Sequence, residues 1–303
     1  MKKPLFGLIG TVSKDEIAHE NGPSFLQLGG ILYQAAVLCA LGEETMLIAN
    51  VPESFSREVE GIIGPWPTLR RDGLRDVPGP GNMVRLFYPE EGERREVLES
   101  AVPALEPERA IRVLPQLSML IMVVNSGYDI TLEDWRKVAD AVECPIWFDI
   151  HSLTLAKVLA EPRRYRPVPE WKEWAKGADY IQANRQEIAC MLGRPEMQIT
   201  AADIDLVCRE ALDLGLKAVF ITLGKEGGLA VTRDHSERIG LTDSDRPVDT
   251  TGCGDVFCAA TASRLVHGAD PFAAASFGIS LASRAAFSAG VRETYDLVRR
   301  SWT

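Results

Sequence analysis

Short apolar runs separated by stretches of helical spacing set the tightest limit on what this 303-residue chain folds into. Leu5 to Ile9, Met46 to Ala49, Leu120 to Val124, Ile146 to Ile150, Tyr180 to Gln182 and Ala218 to Leu223 read as strands buried on both faces. Between them, Ile31 to Leu41, Ser56 to Ile63, Thr131 to Val142, Arg185 to Leu192 and Asp203 to Leu214 are long and periodic enough for helices. Two more are expected from Gly254 to Val266 and from Pro271 to Phe287. Alternating strand and helix predicts an α/β fold, a doubly wound central parallel sheet flanked by helices. No internal repeat or long linker divides the chain, so residues 1–303 are read as one domain.

One segment breaks the rhythm. Asn82 to Tyr88, the turn-forming Pro89-Glu90-Glu91-Gly92-Glu93 and Arg94 to Leu98 read as a β-hairpin. A hairpin inserted into a wound α/β domain must pack over something, and projecting strands commonly cover a ligand cleft. It is therefore expected to be a mobile lid that excludes water.

A net charge of −10 and a pI near 5.1 argue against a surface built to neutralise phosphate backbones, so no nucleic-acid partner is expected. No stretch approaches the ~18 uncharged apolar residues of a spanning helix. The first apolar run, broken by Gly7 and Gly10, reads as a strand and not a signal peptide, which predicts a cytoplasmic protein with no membrane partner. The six cysteines (Cys39, Cys144, Cys190, Cys208, Cys253, Cys258) lack Cys-x-x-Cys spacing and are read as buried free thiols. The four histidines lie far apart, and a histidine-rich metal site is not expected.

The sharpest chemical signal is Asp249-Thr250-Thr251-Gly252-Cys253-Gly254-Asp255, followed directly by the apolar helical stretch Val256 to Ala260. Two glycines allow a tight turn and close ligand approach, and the helix start offers N–H groups and a positive dipole end. Such an anion hole suits the charge that develops on a transferring phosphoryl group. The competing reading is that Asp255 only decorates the first helical turn, where a carboxylate is favoured. Either way, the helix N-terminus is expected to hold Asp255 ionised. The chain has no Gly-x-x-x-x-Gly-Lys-Ser/Thr loop, Gly7-Leu8-Ile9-Gly10 lacks the third glycine of a dinucleotide fingerprint, and no Gly-x-Ser-x-Gly is present.

At this motif the sequence resembles the ribokinase/PfkB-like carbohydrate kinases, and further segments match that family in order. Gly10-Thr11-Val12-Ser13-Lys14-Asp15 resembles its strand-end segment, Gly29-Gly30-Ile31-Leu32-Tyr33-Gln34 its double-glycine motif, Asn184-Arg185-Gln186-Glu187 its Asn-x-x-Glu element, and Thr222 to Gly228 its nucleotide loop. Gln34 stands where the family usually has Asn, and Cys253 where it often has Ala. The resemblance implies a ribokinase-like fold with a small β-stranded lid drawn from about Val12 to Leu28 and Leu69 to Ala101.

It also implies transfer of the ATP γ-phosphate to an alcohol. Asp255 would be the base, with Gly252, Cys253 and Gly254 forming the anion hole. Asp15, Gly29, Gly30, Tyr33 and Gln34 would face the acceptor, and Thr222, Gly224, Gly227 and Asn184 the ATP. Asn184 with Glu187 would position Mg²⁺. Asp249, with backbone near Ser288 to Gly290, would shape a monovalent cation site, such as one for K⁺, of the kind some relatives use, and the lid would form a homodimer contact. A sugar acceptor ranks above a nucleoside, although Tyr33, Phe87 and Tyr88 could stack on a base. A ligand-binding regulator without turnover is the alternative from another class.

Overall fold

The computed structural model describes residues 3–22, 24–90, 95–241 and 251–302. In chain order the strands are β1 (Leu5–Ile9), β2 (Val12–His19), β3 (Phe25–Gly30), β4 (Glu44–Pro52), β5 (Leu69–Arg70), β6 (Leu74–Val77), β7 (Asn82–Tyr88), β8 (Arg95–Ser100), β9 (Met119–Val123), β10 (Ile146–Asp149), β11 (Tyr180–Asn184), β12 (Ala218–Thr222), β13 (Gly228–Val231) and β14 (Ser236–Ile239). The helices are α1 (Leu32–Ala40), α2 (Glu53–Ile63), α3 (Pro107–Val113), α4 (Leu132–Ala141), α5 (Trp171–Ala175), α6 (Arg185–Met191), α7 (Ala201–Asp213), α8 (Cys253–Val266), α9 (Pro271–Ala285) and α10 (Gly290–Trp302).

The central sheet runs β14-β13-β12-β11-β10-β9-β1-β4-β5, with β6 also paired to β4. From β4 to β12 the neighbours are parallel, and β13 and β14 close one edge as antiparallel strands. Strands such as Met119–Val123 are buried at every position, which is why they read as unbroken apolar runs and not as alternating ones. One face carries a core built with α1, α2, α8, α9 and α10, and the other a core with α3 to α7. The helices begin where sequence chemistry allows. Thr131 caps α4, Thr200 forms a capping box on α7, and Asp270 caps α9 ahead of Pro271.

A second, four-stranded sheet has the order β3-β2-β7-β8. The hairpin forms as expected in β7 and β8, with turn residues 91–94 outside the described residues. The expected lid boundary is corrected at one place. Leu69–Arg70 and Leu74–Val77 pair with β4 of the central sheet, because the chain leaving α2 runs back along that edge before turning outward.

The outer strand of the second sheet is fastened to the body. Arg163 N–H donates to Glu96 O at 2.9 Å, Ala160 N–H donates to Leu98 O at 2.8 Å, and the fully buried Arg163 guanidinium pairs with Glu96 at 3.0 Å. The same guanidinium donates to Ala156 O and Ser126 O. Mobility of the hairpin is thus constrained, since any motion that carries β8 away must break a buried ion pair.

Removing one member of a buried pair strands the other charge, at a cost of about 3–5 kcal/mol. Arg163→Met is therefore expected to lower the urea unfolding free energy by about that amount, with part recovered in Arg163→Met/Glu96→Gln. A loss at the level of an exposed pair, about 1 kcal/mol or less, would show that β8 is not held this way.

Candidate active site

The site is assembled around the first turn of α8. Gly252 sits at φ +79°, and a Cβ there would fall 2.6 Å from the Tyr33 ring, so backbone conformation and contact both call for glycine. The first intrahelical bond runs from Val256 N–H to Gly252 O at 2.8 Å. The N–H groups of the turn before it lie at the positive end of the helix dipole. Gln182 Nε2, from β11, donates to Gly254 O at 3.0 Å. Three residues on, Phe257 packs edge-on against Trp147 and Phe220, which are themselves stacked at 4.8 Å, and this fixes the seat of α8 on the sheet.

Two expected acceptor-facing residues are placed differently. Tyr33 is 2% exposed, lies under Gly252 and accepts a hydrogen bond from Gln27 Nε2 at 3.1 Å. Gln34 is wholly buried, and its Nε2 donates to Asp255 Oδ1. Both point from α1 into the α8 seat, since every residue of α1 is buried between the sheet and its neighbouring helices. Phe87 and Tyr88 are also engaged with protein. Arg95 lies over the Phe87 ring, and the Tyr88 ring stacks on His19 while its hydroxyl is 2.8 Å from Thr251 Oγ1.

Asp15, on β2, is buried against Gly29, where a Cβ would fall 2.4 Å from its Oδ2. Gly30, at φ +62°, lets the chain turn from β3 into α1, and a Cβ there would fall 2.2 Å from Thr11 O. Asn184 and Thr222 are neighbours at the carboxyl ends of β11 and β12, the edge where ligands of open α/β sheets bind. Gly224 and Gly227 bracket the 3₁₀ turn that follows. Asn184 and Glu187 form a reciprocal capping box at the start of α6, with Asn184 N–H donating to Glu187 Oε2 at 2.7 Å and Glu187 N–H to Asn184 Oδ1 at 2.9 Å. Asp249 lies outside the described residues.

Two residues of the cluster escaped the sequence reading. Asp149 ends β10, and His151 follows it at φ +25°, a strained conformation of the kind that accumulates at functional sites. Burial, repulsion from Glu187 and repulsion from Asp255 hold Asp149 well above the usual carboxylate range, against the pull of His151. Burial raises Asp255 to about 6, although His151 and the Gln34 hydrogen bond oppose the rise. Asp255 thus remains ionised at neutral pH, as expected from the helix dipole, but desolvation makes it a stronger base than the dipole alone would leave it. Burial by itself would lower His151, but Glu187, Asp149 and Asp255 raise it to about 9, with its side chain still 44% exposed.

An excess of buried carboxylate over positive charge suits a divalent cation. Among the described residues, no three His, Cys, Asp or Glu side chains are grouped to hold one unaided. That donor set fits Mg²⁺, which keeps several waters and leans on substrate phosphates, better than a caged metal. Two recesses, one of about 120 Å³ beside Phe277 and Arg284 and one of about 350 Å³ beside Glu43 and His267, lie toward the far ends of α1 and α8 and include none of these residues. Among the described residues the six cysteines form no disulfide, and Cys144 and Cys253 are only half-buried, not buried as expected. No described helix is long and apolar enough to cross a membrane.

Residues 149–296 match the profile of the pfkB family carbohydrate kinases, a span running from Asp149 past Asp255. A deoxyribokinase of Salmonella typhi is 27% identical over 154 residues, 50% of this chain and 49% of that protein. The ribokinase of Bacillus subtilis is 31% identical over 198 residues, 65% of this chain and 59% of that one. The chain thus spans about half the length of the first of these relatives and under two thirds of the other. Arabidopsis thaliana ribokinase, solved with ribose and ATP, shares the fold at a TM-score of 0.76 and 19% identity, with 99% of both chains covered.

The electrostatics carry a sign. A group whose pKa is higher in the folded state adds stability that is complete below its unfolded value and is lost as pH rises through the folded one. Asp255 contributes this loss between 3.8 and about 6, and His151 between 6.5 and about 9. At pH 8 Asp255→Asn is expected to raise Tm, by roughly 2–4 °C for each kcal/mol of relieved charge burial, with the gain vanishing by pH 4. Thermal unfolding at both pH values checks it. A lower Tm at both would support a first-turn carboxylate that merely stabilises the helix.

Proposed function

We propose that this chain, whose residues 149–296 match the pfkB family carbohydrate kinases, is a kinase of that family that transfers the γ-phosphate of ATP to a hydroxyl of a sugar, with Asp255 as the base. The observation that carries this reading is a carboxylate raised to about 6 in the first turn of α8, directly behind the Gly252-Cys253-Gly254 backbone. A pKa near the working pH is what general-base catalysis favours, and the helix start provides donors for the transferring group.

In the step, the acceptor oxygen forms a bond to the γ-phosphorus, the bond from that phosphorus to the bridging oxygen breaks, and ADP departs with its electron pair. The hydroxyl proton passes to Asp255. Because such transition states are loose, proton removal comes late and orientation of the hydroxyl is the larger duty. Backbone N–H groups at Gly252, Cys253 and Gly254 face the phosphoryl oxygens, while Thr222, Gly224 and Gly227 lie along the nucleotide. Asn184 and Glu187 would hold Mg²⁺ through its waters, and the ion when bound neutralises phosphate charge. Asp15 with Gly29 and Gly30 forms the acceptor wall. That Tyr33, Phe87 and Tyr88 are all engaged with protein supports a sugar over a nucleoside.

ADP release measured with ATP against D-ribose, 2-deoxy-D-ribose, hexoses and adenosine tests the acceptor class. Turnover on a sugar is expected. Turnover on adenosine alone would favour a nucleoside kinase, and ATP binding without ADP release from any acceptor would favour a regulator. On the acceptor so found, Asp255→Asn is expected to fold, bind ATP and lose about 10²–10⁴-fold in kcat. An unchanged kcat would remove the base assignment.

Glu187→Gln removes the charge and keeps the capping bond from Asn184 N–H, while its NH₂ gives up the hydrogen bond that Asn184 Nδ2 donates to Glu187 Oε1. The Mg²⁺ concentration for half-maximal rate is expected to rise about tenfold, with a Tm loss no larger than that one hydrogen bond accounts for. A Tm loss at unchanged Mg²⁺ dependence would reduce Glu187 to a capping residue.

A further inference from the structure

Gln34 is wholly buried, yet only half of its amide is used. Its Nε2 donates to Asp255 Oδ1, while Gln34 Oε1 has no hydrogen-bond partner among the described residues. An unsatisfied buried acceptor is costly, and an apolar side chain of the same length would avoid that cost. The amide is therefore accounted for by its donor half. The assignment of its two ends follows from chemistry, since an ionised carboxylate can only accept and must meet the NH₂.

The neighbouring residue of α1 acts on the other end of the same turn. Tyr33 seats Gly252 and Gln34 grips Asp255, so consecutive residues of one helix hold both limits of the four-residue segment that bears the anion hole and the base. The groups that bear electrostatically on Asp255 from other elements are charged or titratable: Asp149 at the end of β10, His151 in the turn after it and Glu187 on α6. Gln34 is neutral. It directs the carboxylate without adding to that charge balance.

We propose that Gln34 is a positioning residue for phosphoryl transfer, holding one oxygen of Asp255 so that the other faces the acceptor hydroxyl. This rests on the reading of Asp255 as the base. It gives Gln34 a different duty from contact with a sugar, and asparagine, one methylene shorter on the same helix, is expected to hold Asp255 less well.

The test is a double-mutant cycle in kcat with ATP and D-ribose, using Gln34→Met, which keeps length and removes the donor, together with Asp255→Asn and the pair. Gln34→Met and Gln34→Asn are each expected to lower kcat about tenfold to a hundredfold, the scale of a misplaced reacting group, with the KM for ATP unchanged. In the Asp255→Asn background Gln34→Met should cause no further loss, because residues that act through one another are not additive. Crystal structures of the wild type and Gln34→Met need no acceptor and decide alone should D-ribose give no turnover. The Asp255 carboxylate should turn or split into two rotamers in the variant.

If Asp255→Asn lowers kcat while Gln34→Met leaves it within about twofold, the inference fails and the base assignment stands. Losses that multiply fully in the pair, or an Asp255 rotamer unchanged in Gln34→Met, overturn it in the same way. Wild-type kcat in Asp255→Asn removes the base assignment and the inference with it.

Discussion

Everything at this site depends on how the first turn of α8 is seated. Gly252 takes a left-handed conformation against the face of Tyr33, Gln182 holds the Gly254 carbonyl, and Phe257 locks the helix into the Trp147–Phe220 stack. These contacts join α1, β10, β11, β12 and α8, which are separated by long stretches of chain. The direction of the helix N-terminus and the position of Asp255 are consequences of that packing. A side chain larger than hydrogen at Gly252 would meet an aromatic ring with nowhere to move, because Tyr33 is itself buried.

The same packing makes the site electrostatically expensive. Asp149, Glu187 and Asp255 converge around the carboxyl ends of the parallel strands, where burial raises Asp149 and Asp255 and the Glu187 charge raises both further. His151 offsets part of this from a strained backbone position. Stability is given up locally and recovered in two apolar cores that cover both faces of the sheet. On the proposed reaction, a site short of positive charge suits the cationic and proton-donating partners of phosphoryl transfer, the usual form of the trade between stability and activity.

Much of the architecture was legible in the sequence because its signals are local. Fully buried parallel strands are unbroken apolar runs, and the Gly-x-Gly-Asp turn carries its own chemistry. What escaped depended on distant contacts. Asp149 and Gln182 lie inside segments read correctly as strands, and a lone polar residue in such a run was the available sign that something beyond packing was being built. Tyr33 and Gln34 were attributed to the acceptor because helix position does not reveal which neighbour a side chain meets. Desolvation, which sequence spacing does not reveal, raises Asp255 to about 6. The edge strands β5 and β6 were too short for any periodicity to separate them from the hairpin that follows.

The claim that a half-buried carboxylate at the start of α8 accepts the acceptor proton is tested most directly by the pH dependence of kcat. With the wild-type protein and a saturating sugar acceptor, kcat should rise through one ionisation near pH 6, and Asp255→Asn should lose that limb along with most of the rate. A limb that persists unshifted in Asp255→Asn, or a wild-type rate with no ionisation in that range, would contradict it.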